Sequence, residues 1–494
     1  MSEVEYTLSL NDLYDDTDPK SIERYAQRLL GHTFNEVGSW NLPSQVGEAE
    51  VNYGNKARKG GLGNFLEERF FGYKANSDSG ADFSKAGVEL KVSPYEKRNN
   101  GKLSAGERLV LTMISYDEAV EQDFYKSHLW AKCSLLLLIY YLRDRQKASN
   151  MDYRIDYAKL FTPPKQDLDI ILQDYKIIID KISSGKAHEL SESDTMYLGA
   201  CTKGATAEKS TVPQWYYAKD VKAMRRAFCF KQPYMTYVLN NYIVPGKDTY
   251  EPIIKDINEL KDKSFEDFLK SKIQKYVGKT DKELCELFDR EYNNNKSQWV
   301  HLAHLMLGIK SNKAEEFEKA KIVVKSICLE EDGRLVENSP LPNLCFKELI
   351  KEDWEDSELC RYLDETKFFI VVWQKKGDIR VLKGCQLWNM PRKDMDGIVY
   401  KEWKAIRDVV RDGVVLTKNG NIINNNFPKK KDSTAIHIRP HTQKTYYDLG
   451  DGEIHGNGTI SNSDELPDGR RMTKQSFWLN NTYLLDQLDE DLKK

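Results

Sequence analysis

The alternation of apolar and polar residues predicts short strands and amphipathic helices. In "GVELKV" (87–92), three apolar residues alternate with Glu89 and Lys91, which indicates a strand with one buried face. The apolar run "LLLLIYYL" (135–142) predicts a fully buried strand. An amphipathic helix closed by glycine is predicted for "YKEWKAIRDVVRDG" (400–413). Together these elements predict an α/β, or mixed α+β, protein.

Several segments occur twice in the same order. "RYAQRLLGHTFNEV" (24–37) resembles "KSKIQKYVGKTDKEL" (270–284). In each, a helix ends at a glycine, and a threonine with a glutamate three residues later is placed to cap the next helix. "SGADFSKAGVELKV" (79–92) similarly resembles "AEEFEKAKIVVKS" (314–326). The shared order predicts tandem copies of one domain.

Proline and glycine cluster in "VPGKDTYEP" (244–252), which indicates the seam between the copies. We therefore expect one domain at 1–245, a linker at 246–264 and a second domain at 265–494. The second domain contains a polar, glycine-rich insertion at 446–469, which we interpret as a long surface loop.

Composition narrows the class of protein. The chain has 494 residues, 40% hydrophobic and 31% charged, which is typical of a soluble protein with several domains. Its net charge of −3 is not basic, so nucleic-acid binding would depend on local basic patches. The 8 cysteines form no C-x-x-C pair, which argues against a zinc ribbon and indicates reduced thiols. We expect a cytoplasmic protein, because no signal-peptide or membrane-spanning pattern is present.

The candidate chemistry lies in the pattern D-x6-E-x-K, formed by Asp82, Glu89 and Lys91. Asp82 follows a Gly-Ala turn, from which it can fold back beside Glu89 if 88–92 is paired in a hairpin. Two carboxylates at one point suit Mg²⁺, and a lysine can orient a water or balance charge on a phosphate. This set suits metal-assisted hydrolysis of a phosphodiester. The alternative is an exposed strand face, because such spacings recur by chance.

Upstream, "KGGLGNFLEERFFG" (59–72) is rich in glycine. No G-K-[ST] follows, so we interpret it as a turn leading into a helix from about Asn64 rather than as a P-loop. Glu67, in the first turn of that helix, could join the two carboxylates. Compensation of the helix dipole is the alternative explanation for Glu67.

These motifs together resemble the MutH family. K-G-x-x-G-x-x-L-E precedes D-x6-E-x-K, and "AGERLVLTMISY" (105–116) and "SHLWAKCSLLLL" (127–138) follow. The family contains the methyl-directed mismatch-repair endonuclease and type II restriction enzymes that cut GATC. The doubled length is similar to two-lobed restriction members, whose second lobe is a degenerate copy that binds DNA as an allosteric effector. The resemblance implies two tandem restriction-endonuclease-like, or PD-(D/E)XK, domains.

The resemblance also implies roles for individual residues. The metal ligands would be Asp82, Glu89 and Glu67, and the catalytic lysines Lys91 and Lys132. The spacing from Glu67 to Asp82 is one residue longer than the family pattern, which leaves Glu68 as an alternative. The implied DNA contacts are Lys59, Glu107, Thr202, Lys203, Tyr234 and, in the second copy, Arg439. We interpret the segment 217–237 as a basic helix.

In the second copy, Glu316 aligns with Asp82, Val323 with Glu89 and Lys325 with Lys91. Because valine cannot bind a cation, we predict that this copy does not cleave. Instead, we expect it to be a second, effector DNA site.

We therefore predict a type II restriction endonuclease that uses Mg²⁺ to hydrolyse double-stranded DNA 5′ of G in GATC, leaving a 5′-phosphate. We expect one DNA site per lobe, a cognate methyltransferase as a functional partner only, and no membrane association. We expect a monomer in the bacterial cytoplasm that can dimerise on DNA. The alternatives are a MutH-type nicking repair enzyme, which the doubled length argues against, and a non-cleaving DNA-binding regulator, which the complete D-x6-E-x-K set argues against.

Overall fold

The computed structural model describes residues 13–40, 42, 61–73, 80–97, 102–144, 146–204, 210–244, 250–260, 263–293, 295, 297–310, 313–420 and 422–493. The chain forms two compact units. The N-terminal unit comprises Met1–Tyr250 with Glu315–Ala320, and the C-terminal unit comprises Glu251–Ala314 with Lys321–Lys494. In the described part of the chain, no helix is long and apolar enough to cross a membrane.

The N-terminal unit combines helices with two main sheets. Its helices are α1 (Pro19–Ala26), α2 (Phe34–Gly38), α3 (Gly61–Phe65), α4 (His128–Cys133), α5 (Lys165–Ser183) and α6 (Gln232–Val238). Its strands are β1 (Glu89–Lys97), β2 (Leu103–Ala105), β3 (Leu109–Met113), β4 (Leu136–Leu142), β5 (Arg154–Phe161), β6 (Leu198–Thr202), β7 (Thr211–Gln214), β8 (Ala218–Met224) and β9 (Arg226–Phe230).

The first sheet has the order β2-β1-β4-β5, and the second has the order β3-β9-β6. β1 runs parallel to β4, whereas β2 and β5 are antiparallel to their neighbours. The predicted alternation in β1 is confirmed, because Val88 and Leu90 enter the same apolar core as Leu137 and Ile139 of β4. This packing presents the intervening polar side chains on the other face of the sheet.

The remaining elements belong to the C-terminal unit, except for one helix, α10 (Glu315–Ala320), which belongs to the N-terminal unit. The helices from here on are α7 (Phe265–Gln274), α8 (Asp281–Leu287), α9 (Ser297–Met306), α10 (Glu315–Ala320), α11 (Phe346–Leu349), α12 (Glu358–Glu365), α13 (Arg392–Asp394), α14 (Tyr400–Asp412), α15 (Asn481–Asp486) and α16 (Glu490–Lys493). The strands are β10 (Ile322–Leu329), β11 (Ser339–Asn343), β12 (Lys367–Lys376), β13 (Ile379–Trp388), β14 (Leu416–Asn419), β15 (Ile422–Asn425), β16 (Ile436–Pro440), β17 (Tyr446–Asp448), β18 (Ile454–Gly456), β19 (Ser463–Glu465), β20 (Arg471–Thr473) and β21 (Gln475–Leu479).

Two sheets of the C-terminal unit, β10-β12-β13 and β11-β21-β16, correspond in order to those of the N-terminal unit. The insertion at 446–469 is not the surface loop that we predicted, because it contributes three strands to the sheet β18-β17-β20-β19. Its buried Tyr447 and Leu466 pack into the main core of the unit. Those few apolar anchors are enough to order short strands between the glycine turns.

Helix α10 belongs to the N-terminal unit, although both of its neighbouring segments belong to the C-terminal unit. Its Lys319 lies 2.6 Å from the carboxylate of Asp167 in α5, and both side chains are 2% exposed. The Lys319 ammonium group also lies 4.5 Å from the centre of the Tyr237 ring. A charge buried this deeply requires such a partner.

Both units open with the same turn. Thr33 and Thr280 each form a complete capping box with the glutamate three residues later, which confirms the prediction for the two helices. Two residues before each cap lies a glycine with positive φ, Gly31 at 85° and Gly278 at 87°. Each glycine donates its N–H to a carbonyl of the last strand in the sheets β2-β1-β4-β5 and β10-β12-β13, which is β5 or β13.

A carboxylate supports the second sheet in the same way in both units. Asp174 of α5 accepts N–H groups from three successive residues around the start of β6. Glu402 of α14 accepts N–H groups from three successive residues around the start of β16. The shared turn and these shared carboxylates are what descent of the two halves from one domain would produce.

The segment 217–237 is not the basic helix that we predicted. It forms β8, β9 and only then α6. All five residues of β9 are buried, and the Arg226 guanidinium donates to the carbonyls of Ala200 and Leu190. Lys231 is also buried, with its ammonium group 2.5 Å from the Thr195 carbonyl. Charged residues that satisfy backbone carbonyls inside a sheet look, in sequence, like a basic surface.

Candidate active site

A tight turn brings Asp82 to the start of β1. Phe83 and Val88 pair in an antiparallel bridge, with N–H to carbonyl distances of 2.9 and 3.3 Å in the two directions. Gly87 has a φ of 65°, a conformation that glycine adopts without the strain that a β-carbon brings. The Asp82 carboxylate then accepts the Leu90 N–H at 2.8 Å. Asp82 therefore lies beside Glu89, as the sequence predicts.

Glu89 is 2% exposed and is held by two lysines. Its Oε1 lies 2.7 Å from Nζ of Lys91, two residues along the strand. Its Oε2 lies 3.0 Å from Nζ of Lys132 in α4, a helix that Ser127 caps. Because each oxygen has its own ammonium partner, the carboxylate is fixed in one orientation.

The helix that carries Glu67 changes its winding at this point. α3 continues into a π-helix at Leu66–Phe70, in which the Phe71 N–H bonds to the Leu66 carbonyl at 2.8 Å. A π turn holds one residue more than an α turn. Glu67 lies beyond the first helical turn, contrary to our prediction, because the helix already includes Gly61. Helix-dipole compensation therefore explains Glu67 poorly.

Electrostatics place Glu67 with the other acids. Burial, and then the charge of Asp82, raise the pKa of Glu67 to about 7, against the opposing effect of Lys91. Glu68 acts on Glu67 more weakly than Asp82 does. Because the charges of Asp82 and Glu89 both act on Glu67, its carboxyl group lies near theirs.

Asp82 is also close to other negative charges, which affect its pKa. Burial, and then the charge of Glu89, raise the pKa of Asp82 to about 6. The Leu90 N–H and the two lysines oppose this rise. Carboxylates that repel one another in a partly buried cluster form a set of hard oxygen donors, which a divalent cation would stabilise.

In the described part of the chain, no three histidine, cysteine or acidic side chains are already arranged to hold a metal. Both oxygens of Glu89 are paired, one with Lys91 and one with Lys132. Carboxylate oxygens are donors that fit a divalent cation. A cation that bound Glu89 would compete with the two lysines for its oxygens.

Tyr73 is a member of this cluster that the sequence reasoning missed. Its ring packs edge-on against Phe83 at 5.3 Å, and its N–H bonds to the Glu67 carbonyl at 3.0 Å. Its hydroxyl is buried and forms no hydrogen bond with the residues that the structure describes. No spacing rule singles out an aromatic residue after the Phe-Phe-Gly turn, so the sequence offers little signal for it.

Some of the predicted DNA contacts lie outside the first sheet. Thr202 ends β6 of the second sheet, and Lys203 follows it with its N–H bonded to the Arg225 carbonyl at 2.8 Å. Both residues are half-buried. Glu107 is exposed and lies 3.3 Å from the guanidinium of Arg143. Lys59 lies outside the described residues.

Tyr234 does not fit its predicted role as a DNA contact. It is fully buried, its ring stacks on Tyr197 at 5.0 Å, and its hydroxyl lies 3.1 Å from Asp167. A side chain enclosed in this way presents no surface to DNA. Arg439 in the C-terminal unit is exposed, with its guanidinium 4.7 Å from the centre of the Trp478 ring.

The strand register identifies the matching positions in the C-terminal unit. Glu89 pairs with Leu136 across β1 and β4, and Val323 pairs with Phe368 across β10 and β12. A bulge follows the fourth residue after Leu136 and, likewise, the fourth residue after Phe368. Val323 therefore stands where Glu89 stands, and a valine supplies no oxygen for a cation.

The other members of the cluster have also changed. Lys325 points to the Pro340 carbonyl at 2.9 Å, and burial lowers its pKa to about 8. Glu316 lies in α10, within the N-terminal unit. Ser357 caps α12 as Ser127 caps α4, and counting from the caps puts Tyr362 in the place of Lys132.

A mixed α/β unit with carboxylates and lysines gathered at the start of its central strand has the architecture of a restriction-endonuclease-like nuclease. Residues 71–174 match the family model described as the DNA mismatch repair enzyme MutH. The chain is 36% identical, over 89% of its length and 95% of the relative's, to the type II restriction enzyme Sau3AI of Staphylococcus aureus. It is 27% identical, over 39% of its length and 82% of the relative's, to the DNA mismatch repair protein MutH of Shewanella amazonensis.

The chain belongs to the MutH-like family of type II restriction endonucleases. The similarity to the restriction enzyme extends through both units, whereas the match to the repair protein covers less than half of the chain. The coverage confirms the family and the class of enzyme expected from the sequence.

Proposed function

We propose that the protein is a Mg²⁺-dependent endonuclease that cuts double-stranded DNA 5′ of G in GATC and leaves a 5′-phosphate. The carrying observation is the cluster of Asp82, Glu89, Lys91 and Lys132, which is assembled in the N-terminal unit. The corresponding positions of the C-terminal unit lack it. The GATC sequence itself rests on the resemblance to the family.

Each residue of the cluster has a distinct task in this proposal. A Mg²⁺ ion held by Asp82, Glu89 and Glu67 would polarise the scissile phosphate and supply a metal-activated water. The Lys91 ammonium group, beside Glu89, orients the attacking water and balances the charge that develops on the phosphate. Lys132 acts through Glu89, because it is bonded to the oxygen that Lys91 leaves free.

Protonation sets a limit on this chemistry. Asp82 and Glu67 have pKa values raised to about 6 and about 7, so near neutral pH a part of the population is protonated before a cation binds. Protonated carboxyl groups are poor metal ligands, so cation binding releases protons at this site.

The C-terminal unit has a separate role in the proposal, as a second DNA site that stimulates cutting by the first. Two observations support this role: the acidic cluster is absent from the corresponding positions, and Arg439 is exposed. Lysines at 429–431 add positive charge near β16. A lobe that has lost its metal ligands but kept cationic side chains is suited to binding phosphate backbones without hydrolysing them.

The remaining parts of the proposal follow from the family. A cognate methyltransferase protects the cell's own GATC sites and is a functional partner only. We propose a monomer in the bacterial cytoplasm that can dimerise on DNA.

The test uses purified protein, Mg²⁺ and two plasmids that differ only in whether they contain GATC. Linear fragments from the GATC plasmid alone, with 5′-phosphate ends mapped before G, are the expected result. Nicked circles would instead indicate a repair-type enzyme, and intact plasmid with retained binding would indicate a regulator. Asp82→Ala is expected to abolish cutting while DNA binding persists, and retained cutting would show that the site is elsewhere.

A further inference from the structure

The hydroxyl of Tyr73 is a buried hydrogen-bond donor that has no acceptor among the residues that the structure describes. The oxygen is shielded from solvent. Burying a hydroxyl without a partner costs free energy, and a ligand or an ordered water that accepts its proton in a hydrogen bond removes that cost. The surroundings of Tyr73 indicate which ligand this is.

Tyr73 is fixed to the acidic cluster from two sides. Its backbone N–H bonds to the carbonyl of Glu67, and its ring lies edge-on to Phe83, the residue directly after Asp82. Burial, and then the charges of Asp82 and Glu67, raise its pKa well above the ordinary value. Because the charges of Asp82 and Glu67 act on the phenol, its hydroxyl lies near both carboxylates, and a tyrosine hydroxyl is a hydrogen-bond donor.

We propose that Tyr73 is a positioning residue whose hydroxyl donates a hydrogen bond to the water that the Asp82 and Glu67 carboxylates hold for the reaction. This inference rests on the proposed function and adds a residue to its site. The hydroxyl forms or breaks no covalent bond, and it fixes the orientation of a water that two carboxylates alone leave free to rotate.

Tyr140 provides a matched control. Tyr140 lies on β4, next to β1 in the first sheet, and is fully buried. Its hydroxyl, like that of Tyr73, has no hydrogen-bond partner in the described part of the chain. Burial alone raises its pKa, so no carboxylate is close enough to contribute. Tyr73→Phe and Tyr140→Phe therefore remove the same group from similar packing, and they differ in proximity to the acids.

The experiment compares the full-length wild type with Tyr73→Phe, Tyr140→Phe and Asp82→Ala. Three quantities are measured: the urea-unfolding free energy in EDTA, the calorimetric affinity for Mg²⁺, and the single-turnover rate of cutting at saturating DNA. Tyr73→Phe is expected to lower the Mg²⁺ affinity and the cutting rate by about three- to tenfold, the worth of one hydrogen bond. Its DNA affinity is expected to match the wild type and its metal-free stability to be no lower, and Tyr140→Phe is expected to match the wild type in Mg²⁺ affinity, DNA affinity and rate.

Two results would overturn the inference while leaving the proposed function intact. One is a Tyr73→Phe variant that equals the wild type in Mg²⁺ affinity and rate, with Asp82→Ala inactive. The other is a Tyr73→Phe variant that is less stable in EDTA, which would mean that the hydroxyl has a structural partner. A folded wild type that neither binds Mg²⁺ nor cuts DNA would overturn the proposed function, and with it this inference.

Discussion

Lys132 and Glu89 are joined by a hydrogen-bonded ion pair of 3.0 Å across 43 residues of sequence, from α4 to the first residue of β1. Both side chains are buried, so the pair is far less screened than a surface salt bridge. The second oxygen of Glu89 accepts a hydrogen bond from Lys91. Glu89 is thus the point at which a strand, a helix and the proposed metal site meet.

Replacing Lys132 should therefore affect both stability and activity. Lys132→Met leaves one buried carboxylate oxygen unpaired, and we expect the free energy of unfolding at pH 8 to fall by about 1–3 kcal/mol. We expect cutting to fall more than tenfold, because Glu89 loses its orientation. The control is Lys126→Met, whose lysine is highly exposed and pairs with exposed Asp123, so urea unfolding should not detect a change. Equal stability of the two variants would contradict the role of the pair.

The stability of the metal-free protein should depend on pH through Asp82 and Glu67. Their folded pKa values, about 6 and about 7, lie above the ordinary values of 3.8 and 4.5, so the native state binds protons more tightly than the unfolded state. The free energy of unfolding contributed by these groups should therefore fall as pH rises from about 4 to about 7. Urea unfolding in EDTA between pH 5 and pH 8 measures this, and Asp82→Asn should flatten the dependence.

Cutting should show the opposite trend with pH. At Mg²⁺ concentrations below saturation, we expect the rate to rise between pH 6 and pH 8, because the carboxylates must lose protons to bind the cation. Raising the Mg²⁺ concentration should move this rise to lower pH. A pH profile that does not move with Mg²⁺ would mean that a different group limits the rate.

DNA with two GATC sites should be cut faster than DNA with one, if the C-terminal unit binds a second site. The comparison requires matched site concentrations over a range of DNA concentrations, measured by gel-resolved initial rates. Arg439→Ala should reduce the advantage of the two-site DNA and leave the slow cutting of one-site DNA unchanged. Equal rates for both DNAs with the wild type would count against an effector site.

Restoring a single acid should not restore the second centre. In an Asp82→Ala background, Val323→Glu supplies a carboxylate at the position of Glu89. However, Tyr362 replaces the lysine of α4, and Glu316 lies in α10. We expect neither cutting nor a gain in calorimetric Mg²⁺ affinity over Asp82→Ala alone. Recovery of either would show that the C-terminal unit retains more of the site than these residues indicate.

Local rules predicted the parts of the fold that neighbouring residues control. The capping boxes at Thr33 and Thr280 need only a threonine and a glutamate at the right spacing, and both form. The alternation at 88–92 needs only a core on one side, and that core exists. The proximity of Asp82 and Glu89 could be predicted because one tight turn at Gly87 is enough to bring them together.

Tertiary contacts decided what the sequence could not predict. The segment 217–237 looks basic, but the Arg226 guanidinium is buried and donates to the carbonyls of Ala200 and Leu190, which lie far from it in sequence. Tyr234 is enclosed by Tyr197 and Asp167, which lie far from it in sequence. The π-helix at Leu66–Phe70 has no propensity signal in the sequence. For Arg226 and Tyr234, the deciding partners lie outside any local window.

The placement of α10 has a consequence for attempts to divide the molecule. A cut at the boundary after Tyr250 would give an amino-terminal fragment without Lys319, the cation that neutralises Asp167. Asp167 would then be protonated at higher pH or unfold its surroundings, because its pKa is already raised by burial. The N-terminal unit is therefore not a continuous stretch of the chain, and we expect a stable truncated form of it to require the six residues 315–320 to be grafted back.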